Sequence, residues 1–171
     1  MEKKRLGKTE IKIMPLVLGG NVFGWTADHE TSFKILDCFA ANGGELVDTA
    51  DVYSGFAVGG KYGESERVIG AWMKSRSNRS KLIIATKVGY KMSDEKQGLA
   101  KKYILKAVED SLSRLQTDTI DLYQSHRDDL NTPTEETLEA YTLLIKQGKV
   151  RFIGASDRQN KAHIPLIRDG F

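Results

Sequence analysis

The chain has 171 residues, of which 40% are hydrophobic and 29% charged, with a formal net charge of +3. This length suffices for one domain with a sizeable core, and the composition is ordinary for a soluble globular protein. Lysine and arginine are scattered along the chain, so the mild positive excess gives no support for nucleic-acid binding. Cys38 is the only cysteine, and no apolar run reaches the length of a membrane span. We therefore expect no internal disulfide, no membrane span and a cytoplasmic location.

Short aliphatic segments alternate with longer amphipathic segments along the chain. Residues 4–14 predict a small hairpin that turns at Gly7–Lys8. Five buried strands are predicted over residues 14–20, 45–50, 81–87, 119–125 and 150–156. Four helices are predicted between the strands, over residues 31–42, 64–75, 102–115 and 132–148, and a fifth begins near residue 160. The fourth helix has Thr132 as its predicted N-cap and Pro133 at its first helical position.

This alternation predicts an α/β fold with a parallel sheet and right-handed crossovers. Two architectures fit the order of elements, a doubly wound open sheet and a (β/α)8 TIM barrel. The first β/α turn, GGNVFGWTADHE, lacks a G-x-G-x-x-G motif, which argues against a dinucleotide-binding open sheet. The N-terminal hairpin is placed to close the bottom of a barrel. We therefore predict a TIM-barrel type of fold, with the hairpin over residues 4–14 and β/α units over residues 15–171.

Polar side chains follow the ends of the predicted strands. Asp48 and Tyr53 follow the second strand, Lys87 ends the third, His126 follows the fourth, and Ser156–Asp157 follows the fifth. In a barrel, the carboxyl ends of successive strands meet around one mouth, where side chains from separate strands assemble a site. The sequence therefore predicts that these residues converge.

The first four of these residues suit proton transfer to a carbonyl oxygen. An ammonium group favours the ionised form of a neighbouring phenol, and a carboxylate can hold that ammonium in place. Tyr53, Lys87 and Asp48 thus fit a proton donor, and His126 could orient a substrate oxygen. Reduction of the carbonyl also requires a hydride source, which points to a nicotinamide cofactor.

Structural explanations stay open for each residue taken alone. The Lys87–Asp48 pair fits a structural ion pair, and Tyr53 fits an amphipathic packing residue of a loop. Phe23 and Trp25, after the first strand, either line a substrate pocket or pack on the barrel rim. Asp128 and Asp129 are expected in a solvated loop, and Ser156–Asp157 could cap the next helix. No residues stand at metal-ligand spacing, so no metal is expected.

Motifs along the whole chain resemble the aldo-keto reductases, which are NADPH-dependent (β/α)8-barrel enzymes that reduce aldehydes and ketones. The matching segments are LGKTEIKIMPLVLGG, DTADVY, YGESERVIG, IATKVG, SLSRLQTDTIDLYQSH and ETLEAYTLLIKQGKVRFIGASD. The long loop after Tyr53 and the QSHRDD segment are similar to the branch that contains bacterial general-stress-type reductases and potassium-channel β subunits. By this resemblance, Tyr53 is the general acid, Lys87 and Asp48 tune it, and His126 positions a small-molecule carbonyl substrate.

The resemblance also implies where NADPH would bind. Gly20, Asn21 and Asp48 correspond to positions at the nicotinamide end of the cofactor, and Ser156 and Asp157 correspond to the pair that contacts its amide. The family usually has asparagine where this chain has Asp157, and a carboxylate only accepts hydrogen bonds. The family takes its 2′-phosphate contacts from strands beyond the fifth.

A (β/α)8 barrel needs about 250 residues, so this chain corresponds to a barrel truncated after about five strands. An open sheet leaves its first and fifth strands as edges, and such edges pair readily with other chains. We therefore expect a homo-oligomer or complementation through these edges. Three hypotheses follow: an NADPH-dependent carbonyl reductase, a non-catalytic binding or regulatory subunit on the same fold, and an inactive fragment.

Overall fold

The computed structural model describes residues 2–56 and 59–156, and begins with the predicted hairpin. Strand β1 (Lys4–Arg5) pairs antiparallel with β2 (Lys12–Ile13). Gly7 lies in the turn with φ of +58°, a left-handed conformation that glycine adopts without the steric penalty of a side chain. The hairpin is therefore present where the sequence predicts it.

The described part of the chain forms a main sheet of five parallel strands in the order of the sequence. These strands are β3 (Val17–Gly19), β4 (Leu46–Asp48), β5 (Ile83–Val88), β6 (Ile120–Ser125) and β7 (Val150–Ala155). A doubly wound sheet reverses its strand order at a switch point. The sequential order seen here is instead that of consecutive units of a barrel, with β3 and β7 as the outermost strands among the residues that the structure describes.

Four helices connect the strands of the main sheet: α1 (His29–Ala41), α2 (Glu64–Arg76), α3 (Lys101–Leu115) and α4 (Thr134–Lys146). A short 3₁₀ helix, Arg79–Lys81, precedes β5. Consecutive helices pack against each other, as expected for one layer on the outside of a curved sheet. None of the helices in the described ranges has the length and apolar character needed to cross a membrane. The predicted fifth helix near residue 160 lies outside the described residues.

The predicted N-cap of α4 is wrong. Pro133 occupies the cap position, and the Thr132 hydroxyl donates to Asp129 Oδ2 at 2.7 Å instead. The same carboxylate accepts from the backbone N–H groups of Leu99 at 2.8 Å and Asn131 at 2.9 Å. Although burial opposes it, these hydrogen bonds lower the pKa of Asp129. Asp129 therefore organises its loop, where the sequence predicted only a solvated residue.

The core has two parts, one on each face of the sheet. The larger part lies between the sheet and the helices and contains Trp72, Tyr123 and Leu36, all fully buried. The smaller part lies between the hairpin and the other face of the sheet, which we call the inner face. There Ile11 and Ile13 pack with Leu46 and Ala85. The hairpin thus closes one end of the inner face of the sheet.

The inner face becomes polar at the carboxyl ends of its strands. Because side chains alternate along a strand, Asp48 shares the face of Leu46, and Lys87 shares the face of Ala85. The register places Asp48 opposite Ala85, and Lys87 opposite Gln124. The end distant from the hairpin is therefore the mouth in which polar side chains converge.

Candidate active site

Lys87 lies at the centre of the mouth and is 4% exposed. Its Nζ atom donates to Asp48 Oδ2 at 2.6 Å, to the Thr49 carbonyl oxygen at 2.8 Å and to the Tyr53 hydroxyl at 3.1 Å. A lysine ammonium has three N–H donors and no acceptor, so these contacts match its full hydrogen-bonding capacity. Asp48 and the segment just after β4 therefore fix the position of the ammonium group.

The contact with Lys87 determines how the Tyr53 hydroxyl is used. Because an ammonium group can only donate, the Tyr53 oxygen must be the acceptor in this hydrogen bond. The hydroxyl proton is consequently not used toward Lys87 and can be donated to another group. Lys87 Nζ also lies 4.7 Å from the centroid of the Tyr53 ring. The arrangement presents a phenol O–H with a positive charge directly behind its oxygen.

His126 completes the predicted set at the end of β6. Its backbone N–H donates to the Val88 carbonyl at 2.8 Å, which anchors it beside the end of β5. Its ring packs edge-on against Tyr53, with the ring centroids 5.8 Å apart. Asp48, Tyr53, Lys87 and His126 are thus brought together although they come from three different strand ends.

A row of aromatic rings extends outward from His126. Its ring lies 5.3 Å from Tyr90, Tyr90 lies 5.2 Å from Phe56, and Phe56 lies 6.5 Å from Tyr62, all between centroids. Phe56 is 60% exposed and Tyr62 is 40% exposed. We call His126, Tyr90, Phe56 and Tyr62 the aromatic wall. It forms an aromatic surface that runs from His126 to the solvent-exposed rings of Phe56 and Tyr62.

Gln124 is a residue of the site that the sequence analysis missed. Its Nε2 atom donates to Asp48 Oδ1 at 3.4 Å, while Asp48 Oδ2 accepts from Lys87. The signal was present in the sequence, because Gln124 lies two positions before His126, and side-chain alternation toward the end of β6 predicts the same direction for both. Gln124 therefore helps to orient the carboxylate that holds the lysine.

The residues predicted after β3 divide between the core and the surface. Phe23 is fully buried in the larger core, so packing accounts for it and it has no surface to offer a substrate. Trp25 is 53% exposed. Gly20 is buried, and its N–H donates to the Asp48 carbonyl at 2.7 Å, which places the end of β3 beside Asp48. Asn21, next to it, is exposed.

The predicted cofactor residues after β7 are only partly described. Ser156 is exposed, and its N–H donates to the Ser125 carbonyl at 2.9 Å, so it lies beside the end of β6. Asp157 lies outside the described residues. The exposed hydroxyl of Ser156 and amide of Asn21 can both donate and accept hydrogen bonds, as a nicotinamide carboxamide requires. Within residues 2–56 and 59–156, no group of three or more His, Cys, Asp or Glu side chains is placed to hold a metal ion.

Comparison with known proteins identifies the family. The consecutive β/α units and the hairpin define the chain as part of a (β/α)8 barrel. The chain belongs to the aldo/keto reductase family, whose sequence profile matches residues 15–166. It is 38% identical over 164 residues to the uncharacterized oxidoreductase YrpG of Bacillus subtilis, covering 92% of this chain and 49% of that protein. It is 37% identical over 162 residues to norsolorinic acid reductase of Aspergillus flavus, covering 86% of this chain and 40% of that protein.

A solved structure supports the same assignment. The holo form of aldo-keto reductase AKR11C1 from Bacillus halodurans matches with a TM-score of 0.83 and 34% sequence identity. The match covers 98% of this chain and 54% of that chain. The chain therefore spans about half the length of these three proteins, and the predicted fold class is confirmed.

Asp51 is a buried carboxyl group directly behind the site. It is 1% exposed, and neither carboxyl oxygen accepts a hydrogen bond of good geometry from a described side chain or backbone group. Burial, followed by the nearby Glu66 carboxylate, raises the pKa of Asp51 to about 8. A carboxyl group with this pKa is mostly neutral at pH 7, which reduces the cost of burying it.

The raised pKa of Asp51 predicts a pH-dependent stability. The ordinary pKa of an aspartate is 3.8. Between pH 3.8 and pH 8, the folded chain therefore keeps a proton on Asp51 that the unfolded chain releases. The free energy of unfolding should therefore fall as pH rises through this interval, by up to about 1.4 kcal/mol per pH unit. Asp51→Asn should remove this slope and make the protein more stable than the wild type at pH 8. Urea unfolding at several pH values measures it.

The exposed Asp118 provides a matched control for this prediction. Asp118→Asn should keep the pH dependence of the wild type, because it makes the same chemical change at the surface and leaves the buried Asp51 carboxyl group intact. An Asp51→Asn variant with the same slope as the wild type would show that Asp51 is ionised throughout this pH range.

Proposed function

We propose that the chain is the proton-transfer part of an NADPH-dependent reductase that converts an aldehyde or a ketone to an alcohol. The observation that carries this proposal is the hydrogen bond from Lys87 Nζ to the Tyr53 hydroxyl, with Lys87 itself held by Asp48 and Thr49. Membership of the aldo/keto reductase family supports it, and two of the similar proteins, norsolorinic acid reductase and AKR11C1, are named as reductases.

Tyr53 acts as the general acid in the proposed reaction. The carbonyl carbon gains a hydride and the carbonyl oxygen takes the Tyr53 proton, so the products are an alcohol, the oxidised hydride donor and a tyrosine phenolate, which solvent reprotonates before the next turnover. The Lys87 ammonium stabilises that phenolate because its positive charge lies at the oxygen where the negative charge develops. His126, packed against the Tyr53 ring, orients the carbonyl oxygen toward the hydroxyl. Asp48 keeps the ammonium in place.

NADPH, when bound, supplies the hydride. Asn21 and Ser156 would hold its carboxamide, since both are exposed polar groups at the mouth, and Asp157 is proposed as the partner of Ser156. The backbone N–H of Gly20 is already used by Asp48, so Gly20 would contribute a close backbone approach and no further hydrogen bond from that group. We name NADPH as the cofactor because of the resemblance to the family.

The aromatic wall supports a substrate with an aromatic ring. Phe56 and Tyr62 expose their rings at the outer end of a row that reaches the proposed proton donor through His126 and Tyr90, and aromatic rings pair favourably edge to face or offset. A planar aryl group attached to the carbonyl would rest on this wall while its oxygen reaches Tyr53. We therefore infer that aryl aldehydes and aryl ketones are preferred over short aliphatic ones.

Tyr53→Phe should reduce turnover at least about a hundredfold, because it removes the donated proton and keeps the ring. Oxidation of NADPH by the full chain with an aryl aldehyde, followed by absorbance, measures the effect. Lys87→Met should act in the same direction, since the phenolate loses its counter-charge. Tyr103→Phe is the control, because it removes a buried phenol that lies on α3. An unchanged rate in Tyr53→Phe contradicts the proposed role.

Phe56→Ala should lower kcat/KM for benzaldehyde about tenfold and leave propanal nearly unaffected, because only the aryl group loses a stacking partner. Competition between the two aldehydes in one reaction measures the ratio directly. Leu130→Ala is the matched control, since Leu130 is 76% exposed and not part of the aromatic wall. Equal losses for both substrates in Phe56→Ala would count against an aryl-binding role.

A further inference from the structure

The start of α2 contacts the ends of several strands at the mouth. Ser65, in the first turn of this helix, is fully buried. Its hydroxyl donates to the Gly20 carbonyl at 2.7 Å and shares a 2.8 Å hydrogen bond with the Thr49 hydroxyl. A Cβ atom at Gly20 would lie only 2.9 Å from Ser65 Oγ, so this approach depends on glycine. One hydroxyl therefore joins the segments that follow β3 and β4.

Thr49 connects this hydroxyl to the proton-transfer site. Its hydroxyl shares the hydrogen bond with the Ser65 hydroxyl, and its backbone carbonyl accepts from Lys87 Nζ at 2.8 Å. Its N–H donates to the Ala85 carbonyl at 2.8 Å, so the residue is fixed to β5 as well. A shift of Thr49 would move one of the three acceptors that hold the lysine.

Glu66 fixes the helix turn that carries Ser65. It is fully buried, its Oε1 accepts from the Thr86 hydroxyl at 2.7 Å, and its Oε2 accepts from Arg114 Nε at 2.6 Å. Thr86 precedes Lys87 in β5, so this contact joins α2 to the strand of the lysine. A Cβ atom at Gly63 would lie 2.4 Å from Arg114 Nε, so the arginine reaches Glu66 because residue 63 is glycine.

The buried polar groups of this turn indicate a role besides packing. Burying a carboxylate and a guanidinium costs free energy, and apolar residues of similar volume often serve stability as well or better. Two of these hydrogen bonds end on chain neighbours of the site residues, since Thr49 follows Asp48 and Thr86 precedes Lys87. We therefore interpret this arrangement as one that positions Asp48 and Lys87 at the mouth.

We propose that Ser65 is a positioning residue for proton transfer: through Thr49 it keeps Lys87 Nζ at the distance from which it contacts Tyr53. This inference rests on the proposed reductase function and assigns a role to a residue that touches neither substrate nor cofactor. Ser65 then acts on the rate of the chemical step, and it does not contribute to binding of the carbonyl substrate.

Ser65→Ala should lower kcat about tenfold or more, because small misplacements of catalytic groups are costly, while KM for benzaldehyde changes less than about twofold. The solvent deuterium isotope effect on kcat should rise, since proton transfer then limits turnover more strongly. Ser32→Ala is the matched control. Ser32 is also fully buried and donates to a backbone carbonyl, that of Ala27 at 3.1 Å, but it does not bond Thr49.

Three variants in one assay separate the outcomes. If the wild type turns over and Tyr53→Phe does not, but Ser65→Ala retains its kcat or matches Ser32→Ala, the positioning role is refuted and the reductase function stands. If the wild type shows no turnover, or Tyr53→Phe is as active as the wild type, the proposed function fails and this inference fails with it. A loss confined to KM also contradicts the positioning role.

Thr49→Val tests the same hydrogen bond from its other partner. It removes the hydroxyl, keeps the volume and leaves the backbone carbonyl available to Lys87. It should reproduce the kcat loss of Ser65→Ala, and it replaces that variant if Ser65→Ala does not fold. A Thr49→Val protein with the kcat and isotope effect of the wild type would overturn the proposal.

Discussion

The site depends on one buried ammonium group. Lys87 is nearly inaccessible to solvent, and a buried charge is tolerated only where other groups replace its hydration. Asp48, Thr49 and Tyr53 provide those groups, and all three belong to β4 or to the residues just after it. The parallel pairing of β4 with β5 is therefore what makes the site, because it places these acceptors beside the lysine.

The same constraint explains the abrupt polarity of the DTADVY segment. Toward the hairpin, the inner face of the sheet is filled by Ile13, Leu46 and Ala85 and needs apolar residues. One or two positions further along the strands, the chain reaches the mouth and must supply partners for Lys87. Asp48 and Tyr53 serve that purpose. Asp51, behind them, remains buried by staying mostly neutral at pH 7.

The strand order and the central residues of the site could be predicted from the sequence, because both follow from period and placement. Aliphatic runs between amphipathic helices predict parallel β/α units, and strand ends predict a shared mouth. Asp48, Lys87 and Tyr53 were found in this way, and the structure places them in direct contact.

Other features could not be predicted, for physical reasons. The Thr49 contact uses a backbone carbonyl, which every residue has, so the residue type carries no signal. Thr132 was predicted as a cap because threonine is a common cap, but its hydroxyl donates to the Asp129 carboxylate, which the distant Leu99 N–H helps to hold in place. Phe23 precedes an exposed tryptophan in sequence, and only the packing of the helices shows that its ring belongs to the core.

The most direct test of the account is a titration of the full chain with NADPH, followed by tryptophan fluorescence. Trp25 is half-exposed after β3 and Trp72 is buried in the core, so quenching should come mainly from Trp25 and disappear in Trp25→Phe. The account predicts saturable quenching, with similar affinity in Tyr53→Phe because that change affects proton transfer and not cofactor binding. Absence of binding by a chain with a cooperative unfolding transition would contradict the claim that this mouth holds a nicotinamide beside Tyr53.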